Sequence, residues 1–150
     1  SKLYNIEVIC LRYFNVYGQN QRFDAYGNVI PIFVFNMLRN EPILIYGDGE
    51  QTRDFVHVDD VVQANIKAAE IEGINGAFNI ASGKRVTINR LVEIISNGYD
   101  NVKIKYVNER QGDVRHSLAD ISLAYEKFNY VPNVDLEWGV DNYISWVKNI

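Results

Sequence analysis

Cysteine is almost absent from this 150-residue chain: Cys10 stands alone, which excludes an internal disulfide framework and a cysteine-ligated zinc site. It lies in the apolar run IEVICLRY and is expected to pack in the core. Histidine is also scarce; His57 and His116 have no partner at metal-ligand spacing, so both are read as structural. No apolar run approaches the ~18 residues of a membrane span, and no secretory signal opens the chain, so a cytoplasmic protein without a membrane partner is expected. No block of lysine and arginine is present, and the net charge of −4 argues against nucleic-acid binding. There is no G-x-G-x-x-G turn to cradle a dinucleotide pyrophosphate and no Walker pattern. Gly47-Asp48-Gly49 is too short for that role, and Asp48 would repel a phosphate. No Ser/His/Asp order stands out. The chain opens Ser1-Lys2-Leu3-Tyr4 without a methionine, which suggests a processed or truncated start.

What is present is an ordinary globular balance, 47% hydrophobic and 23% charged, in a length that suits one domain. Ile6 to Tyr13 is rich in β-branched and aromatic side chains and predicts a buried strand, leaving through Phe14-Asn15-Val16-Tyr17-Gly18. Gln19 to Gly27 reads as a polar loop and a candidate lid. Asn28 to Asn40 predicts an apolar helix with Pro31 in its first turn, stopped by Glu41-Pro42, and Ile43 to Tyr46 a short strand. Phe55 to Val58 is the next strand, followed by a helix to about Glu72 that Asp59 or Asp60 caps, with Val61, Val62, Ile66 and Ala69 on one face. After a strand at Ala77 to Ala81, Thr87 caps a helix whose Ile88, Leu91, Val92 and Ile95 share a face. Val102 to Val107 alternates as a half-exposed strand with Lys103 and Lys105 outward. Asn108 to His116 is a second charged loop, Asp120 to Phe128 a helix, and Asp135 caps a last helix striped by Leu136, Val140, Tyr143, Ile144 and Val147. Strands alternate with helices throughout, so the fold class is α/β.

Two arginines draw attention. Arg53 and Arg110 each sit in a loop beside glycine and acidic residues, where a guanidinium can be aimed at an anion, and two such forks suit a diphosphate. Asp113 is placed to accept from a ribose diol. Ordinary surface pairing, such as Arg53 with Asp54, explains the same spacing equally well. Asn15 either offers a carboxamide to a ligand or caps its turn. Tyr99 and Lys103 have Tyr-x-x-x-Lys spacing, but they follow Asn97-Gly98 and run into a strand, so they do not share a helical face.

Three runs, LRYFNVYG from Leu11, GDGEQTRDFVHVDD from Gly47 and GDVRHSLAD from Gly112, resemble the extended short-chain dehydrogenase/reductase superfamily. More narrowly, they resemble the C-terminal, substrate-binding part of NAD-dependent nucleotide-sugar 4-epimerases, over essentially the whole chain. The resemblance implies the last strand of a Rossmann-like sheet plus a small mixed α/β substrate-binding domain. It places Phe14 near the nicotinamide of NAD, and Asn15, Asn28 and Val29 around the substrate's diphosphate region. Leu44 and Tyr46 would give backbone contacts to uracil, Arg53 and Arg110 would bind phosphates, and Asp113 would hold the ribose. Ser117 matches the position that limits sugar size; a small side chain there suggests room for an N-acetyl group, favouring UDP-N-acetylglucosamine over UDP-glucose.

The family's glycine-rich NAD turn and its catalytic Tyr-x-x-x-Lys precede the strand that starts here and are not in this sequence. The resemblance therefore implies a UDP-sugar-binding portion that does not catalyse alone, from an enzyme that inverts C4 through a 4-keto intermediate and forms a homodimer. The same portion of a 4,6-dehydratase or UDP-glucuronate decarboxylase is the near alternative. A non-catalytic nucleotide-sugar-binding module is the alternative of another class. In either case the isolated chain is expected to expose a flank of its first strand and to self-associate.

Overall fold

The computed structural model describes residues 1–21, 23 and 28–150. The lid expected over Gln19 to Gly27 lies largely outside the described residues. Eight strands and five helices are described: β1 Ile9–Tyr13, β2 Asn15–Tyr17, α1 Val29–Leu38, β3 Ile43–Tyr46, β4 Thr52–Arg53, β5 Phe55–His57, α2 Val58–Glu70, β6 Gly76–Ile80, β7 Val86–Thr87, α3 Ile88–Ser96, β8 Ile104–Val107, α4 Ser122–Phe128 and α5 Leu136–Val147. The class is α/β, with parallel pairings β1–β6, β2–β5 and β3–β8 and an antiparallel β4–β7.

The joint between β1 and β2 positions the functional cleft. Through Tyr13 the chain pairs with β6; then Phe14 N–H donates to Ile80 O and Asn15 N–H to Asp54 O, and pairing passes from β6 to β5. Phe14 and Asn15 therefore sit where one strand changes neighbours.

Two apolar clusters flank this joint. The larger joins α1, α3 and α5 around β3 and β5, with Ile30, Phe33, Val34, Ile43, Ile45, Leu91, Ile95, Val140 and Tyr143 buried. The smaller packs α2 and α4 on β5 and β6 through Val56, Val61, Ala64, Phe78, Ile80, Ala124 and Phe128. Thr87 caps α3 by accepting from Arg90 N–H, and Asp135 caps α5 by accepting from Glu137 and Trp138 N–H, each as its side chain and position predict.

Several expectations are corrected. Cys10 is exposed rather than core, because β1 alternates: Ile9 and Leu11 face the smaller cluster while Cys10 and Arg12 project from the other face. The strand begins at Ile9, three residues later than read. His57, not Asp59 or Asp60, caps α2, accepting from Asp59 N–H through Nδ1 at 3.2 Å. Asp60 is 3% exposed and instead accepts from Asn133 and Val134 N–H, tying the approach to α5 onto α2. Val62 and Ile66 are exposed, since α2 docks through Val61 and Ala64, about one residue's rotation away. In β8, Ile104 and Tyr106 are exposed along with Lys103 and Lys105, so the strand's alternation does not bury its apolar side. The two-residue strands β4 and β7 were too short to carry a period.

Candidate functional site

The segment from Tyr46 to Phe55 is built around turns and alternation. Gly49 has φ +77°, and a β-carbon there would lie 1.9 Å from Asn89 Oδ1, so only glycine fits. Asn89 in turn bonds Asp48 O and the Glu50 carboxylate, fastening the turn to the start of α3. From Gln51 onward side chains alternate. Asp54 turns inward, fully buried, and accepts from Ser82 N–H (2.8 Å), Ser82 Oγ (2.6 Å), Gly83 N–H (3.0 Å) and Ala119 N–H (3.2 Å). It is a knot between three chain segments, and it is not the partner of Arg53.

On the opposite side a cleft of about 700 Å³ opens. Nine of the ten residues singled out by resemblance line it: Phe14, Asn15, Asn28, Val29, Leu44, Tyr46, Arg53, Arg110 and Asp113. Ser117 does not; it is half-buried beyond the charged loop, its N–H donating to Thr52 O. The lining also includes Ile32, Phe33 and Asn36, which sequence reading did not assign to the site. Their spacing from Val29, i+3, i+4 and i+7, is one helical face and was a usable signal. Gln51 and Ile88 were missed as well. Gln51 stands two residues before Arg53, on the same side of an extended segment.

Arg53 is half-buried and held by three acceptors. Nη1 donates to Thr52 O (2.8 Å) and Val114 O (2.5 Å), and Nη2 pairs with Asp113 Oδ1 at 2.5 Å. A guanidinium has five N–H groups, so donors remain for an anion in the cleft. Asp113 is thus the carboxylate that aims Arg53. Arg110 is exposed and lies over the Tyr46 ring, 4.0 Å from its centroid. Asn15 and Asn28 each donate one amide hydrogen to backbone, to Asp54 O and Val16 O, which fixes the carboxamides at the cleft wall.

The charged loop is strapped across by Arg115, whose two Nη atoms each meet a carboxylate oxygen of Asp48 at 2.7 Å. The Arg115 guanidinium holds the Asp48 carboxyl down at about 2. That pairing also answers the charge objection to Asp48, since its carboxylate is neutralised away from the cleft. His116 Nδ1 meets Thr52 Oγ1 at 3.1 Å and His57 caps α2, so both histidines have structural contacts. Among the described residues no group of His, Cys, Asp and Glu is placed to hold a metal. No described helix is long and apolar enough to cross a membrane.

For NAD, the positive-φ glycines among the described residues serve isolated turns and helix ends, and none of them forms a strand-to-helix glycine-rich turn. The described residues do not fit a dinucleotide cradle.

The chain belongs to the NAD dependent epimerase/dehydratase family, whose model matches residues 1–81. It is 43% identical, with a TM-score of 0.93, to the UDP-N-acetylglucosamine 4-epimerase of Methanobrevibacter ruminantium M1 in complex with UDP-N-acetylmuramic acid, covering 99% of this chain and 48% of that one. The UDP-glucose 4-epimerase of Thermotoga maritima with UDP-glucose is 42% identical at a TM-score of 0.88, again over 99% and 48%. A putative UDP-glucose 4-epimerase of Methanocaldococcus jannaschii is 40% identical over 151 residues, 99% of this chain and 48% of the relative. The chain thus spans about half the length of the relatives it matches.

Proposed function

We propose that this chain is the C-terminal, nucleotide-sugar-binding half of an NAD-dependent UDP-sugar 4-epimerase. The observation that carries the reading is that Phe14, Asn15, Leu44, Tyr46, Arg53 and Arg110 line one cleft. Arg53 lies two residues from Phe55, which pairs with Asn15 at the strand-switch joint, and Arg110 lies over the Tyr46 ring of β3, which suits a sugar at the joint, a diphosphate at the arginines and a base against β3. Asn15 and Asn28 present fixed carboxamides to the sugar-diphosphate region, and Asp113 both aims Arg53 and offers its second oxygen to a ribose hydroxyl.

NAD, held by the other half of the enzyme, supplies reversible hydride transfer at C4. This half binds and orients the substrate and closes one wall of the site, and it lacks a proton-transfer pair of its own. In the full enzyme the exposed face of β1, with Cys10 and Arg12, is covered by the NAD-binding half, and the enzyme works as a homodimer in the cytoplasm. The resemblance of the run from Gly112 to Asp120 favours UDP-N-acetylglucosamine as the substrate, and Ser117 itself lies outside the cleft lining.

Incubating the full-length enzyme with NAD and a panel of UDP-sugars, followed by proton NMR of the products, tests this. The C4 epimer is expected. Release of carbon dioxide from UDP-glucuronate, or of water with formation of a 4-keto-6-deoxy sugar, in place of the epimer rejects the epimerase assignment.

A further inference from the structure

We propose that Asn97 is a site of spontaneous covalent modification. The Gly98 backbone nitrogen closes on the Asn97 side chain, ammonia leaves, and water reopens the ring to aspartyl and isoaspartyl products. The inference does not rest on the nucleotide-sugar reading above.

Asn-Gly occurs twice in the chain, at Asn75-Gly76 and at Asn97-Gly98. The chemistry available to both is the same. The glycine nitrogen attacks Cγ of the asparagine, a C–N bond forms, the Cγ–Nδ2 bond breaks, and the displaced amide leaves as ammonia with the proton of the glycine N–H. Water then adds to one of the two imide carbonyls and opens the ring. Glycine favours the closure because no β-carbon shields its nitrogen and its backbone turns freely. What differs is how the fold holds the two pairs.

At Asn75 the reacting groups are engaged. Its Oδ1 accepts from Ser1 Oγ and from Val8 N–H, both at 2.8 Å. Gly76 N–H donates to Val8 O at 3.1 Å where β6 begins, and Gly76 pairs in register with Ile9. Closing a ring there breaks these bonds and the start of a parallel ladder. Asn97 follows the last residue of α3 and is exposed, as is Gly98. Its own N–H donates to Ile94 O at 3.3 Å, but among the described residues neither its carboxamide nor the Gly98 N–H has a hydrogen-bond partner. Gly98 has φ +77°, and a β-carbon built on it meets nothing within 4 Å, so the space around the joint is open. The ψ of 125° at Asn97 holds its Cγ off the Gly98 nitrogen, and ring closure waits on a turn about that bond. That turn loosens Tyr99 N–H from Ser96 O (3.0 Å) and no bond of Gly98 itself. The product adds a carboxylate at the C-terminal end of α3, against the helix dipole, in a recess that Glu93, Glu137 and Asp141 already line.

Holding the full-length enzyme in mildly alkaline buffer and following its peptides by mass spectrometry tests the proposal. The peptide with Asn97 is expected to gain the mass difference between OH and NH2 about tenfold faster than the peptide with Asn75, and to yield both aspartyl and isoaspartyl isomers. In concentrated urea, where the fold no longer distinguishes the two pairs, their rates should come within about threefold of each other. Gly98→Ala, which shields the nitrogen, should slow the reaction at Asn97, with thermal melting showing a folded protein. Equal rates at the two sites in the folded enzyme overturn the proposal, and this comparison stands even if the variant does not fold. A rate difference that persists in urea overturns it as well, since the flanking sequence would then set the rates. An aspartyl product without its isoaspartyl isomer rejects the ring-closing step.

Discussion

Arg53 and Asp54 are neighbours in sequence and opposites in role. Arg53 faces the cleft, half-exposed donors turned to solvent, with Asp113 as its counter-ion from sixty residues away. Asp54 faces inward with no exposure and gathers four hydrogen-bond donors from the β6 exit and from Ala119. Alternation in an extended segment is what separates them. The lesson is that an adjacent opposite charge is the wrong first guess for an ion pair on a strand, because adjacent side chains leave on opposite faces.

That contrast can be broken most severely from the inside. Asp54→Ala leaves four donor groups, one buried and three partly buried, without their acceptor and is expected to cost roughly 3 kcal/mol of folding stability. A urea titration should show a lower midpoint with an unchanged slope; a midpoint within error of the parent would mean that Asp54 is not the knot described. Arg53→Ala should do the reverse. Its ion pair is partly exposed, with the Arg53 side chain 17% and the Asp113 side chain 39% accessible, so stability should change by only about 1 kcal/mol, while affinity for a UDP-sugar falls about 10- to 100-fold. Unaltered affinity in that variant rejects the phosphate clamp.

The smallest effect belongs to Asp48. Its bond to Arg115 is fully at the surface, so Asp48→Asn should leave the melting temperature essentially unchanged and only hasten proteolysis within residues 108–116. The pH dependence has a definite sign. The folded carboxyl titrates below its ordinary 3.8, so the strap contributes at all pH above that value and is lost as pH falls towards about 2. Amide exchange of residues 108–116 that rises already between pH 6 and 5 would contradict this.

Much of the fold was legible because local signals agreed with the tertiary outcome. Thr87 and Asp135 precede clean apolar stripes, and both helices form where those caps place them. Ile43 to Tyr46 forms its strand over the expected residues. Misreadings occurred where local chemistry was ambiguous. Asp59-Asp60 looks like a cap, yet His57 performs that role and Asp60 is drawn inward by two backbone donors from a segment more than seventy residues away. Cys10 looked buried because five of its neighbours are apolar, but only alternate residues of β1 meet the smaller cluster. In the cleft, Phe14, Asn15, Arg53 and Arg110 were found through motif resemblance, whereas Gln51 and the Ile32–Phe33–Asn36 face of α1 carry only a periodicity with Arg53 and Val29 that marks a shared side and not a ligand site.

By itself the sequence determined the alternation of strands and helices, the caps of α3 and α5, and the presence of Arg110 in a glycine-bearing loop, because these depend on side-chain type and short-range spacing; Arg53, read as a loop residue, lies in β4. Tertiary structure decided that Arg53 answers to Asp113, that Asp54 and Asp60 are internal ties, and that Gln51 joins the cleft wall with its Nε2 donating to Tyr46 O. Those outcomes depend on which acceptor or donor a distant segment brings within hydrogen-bond reach, and no local period encodes that.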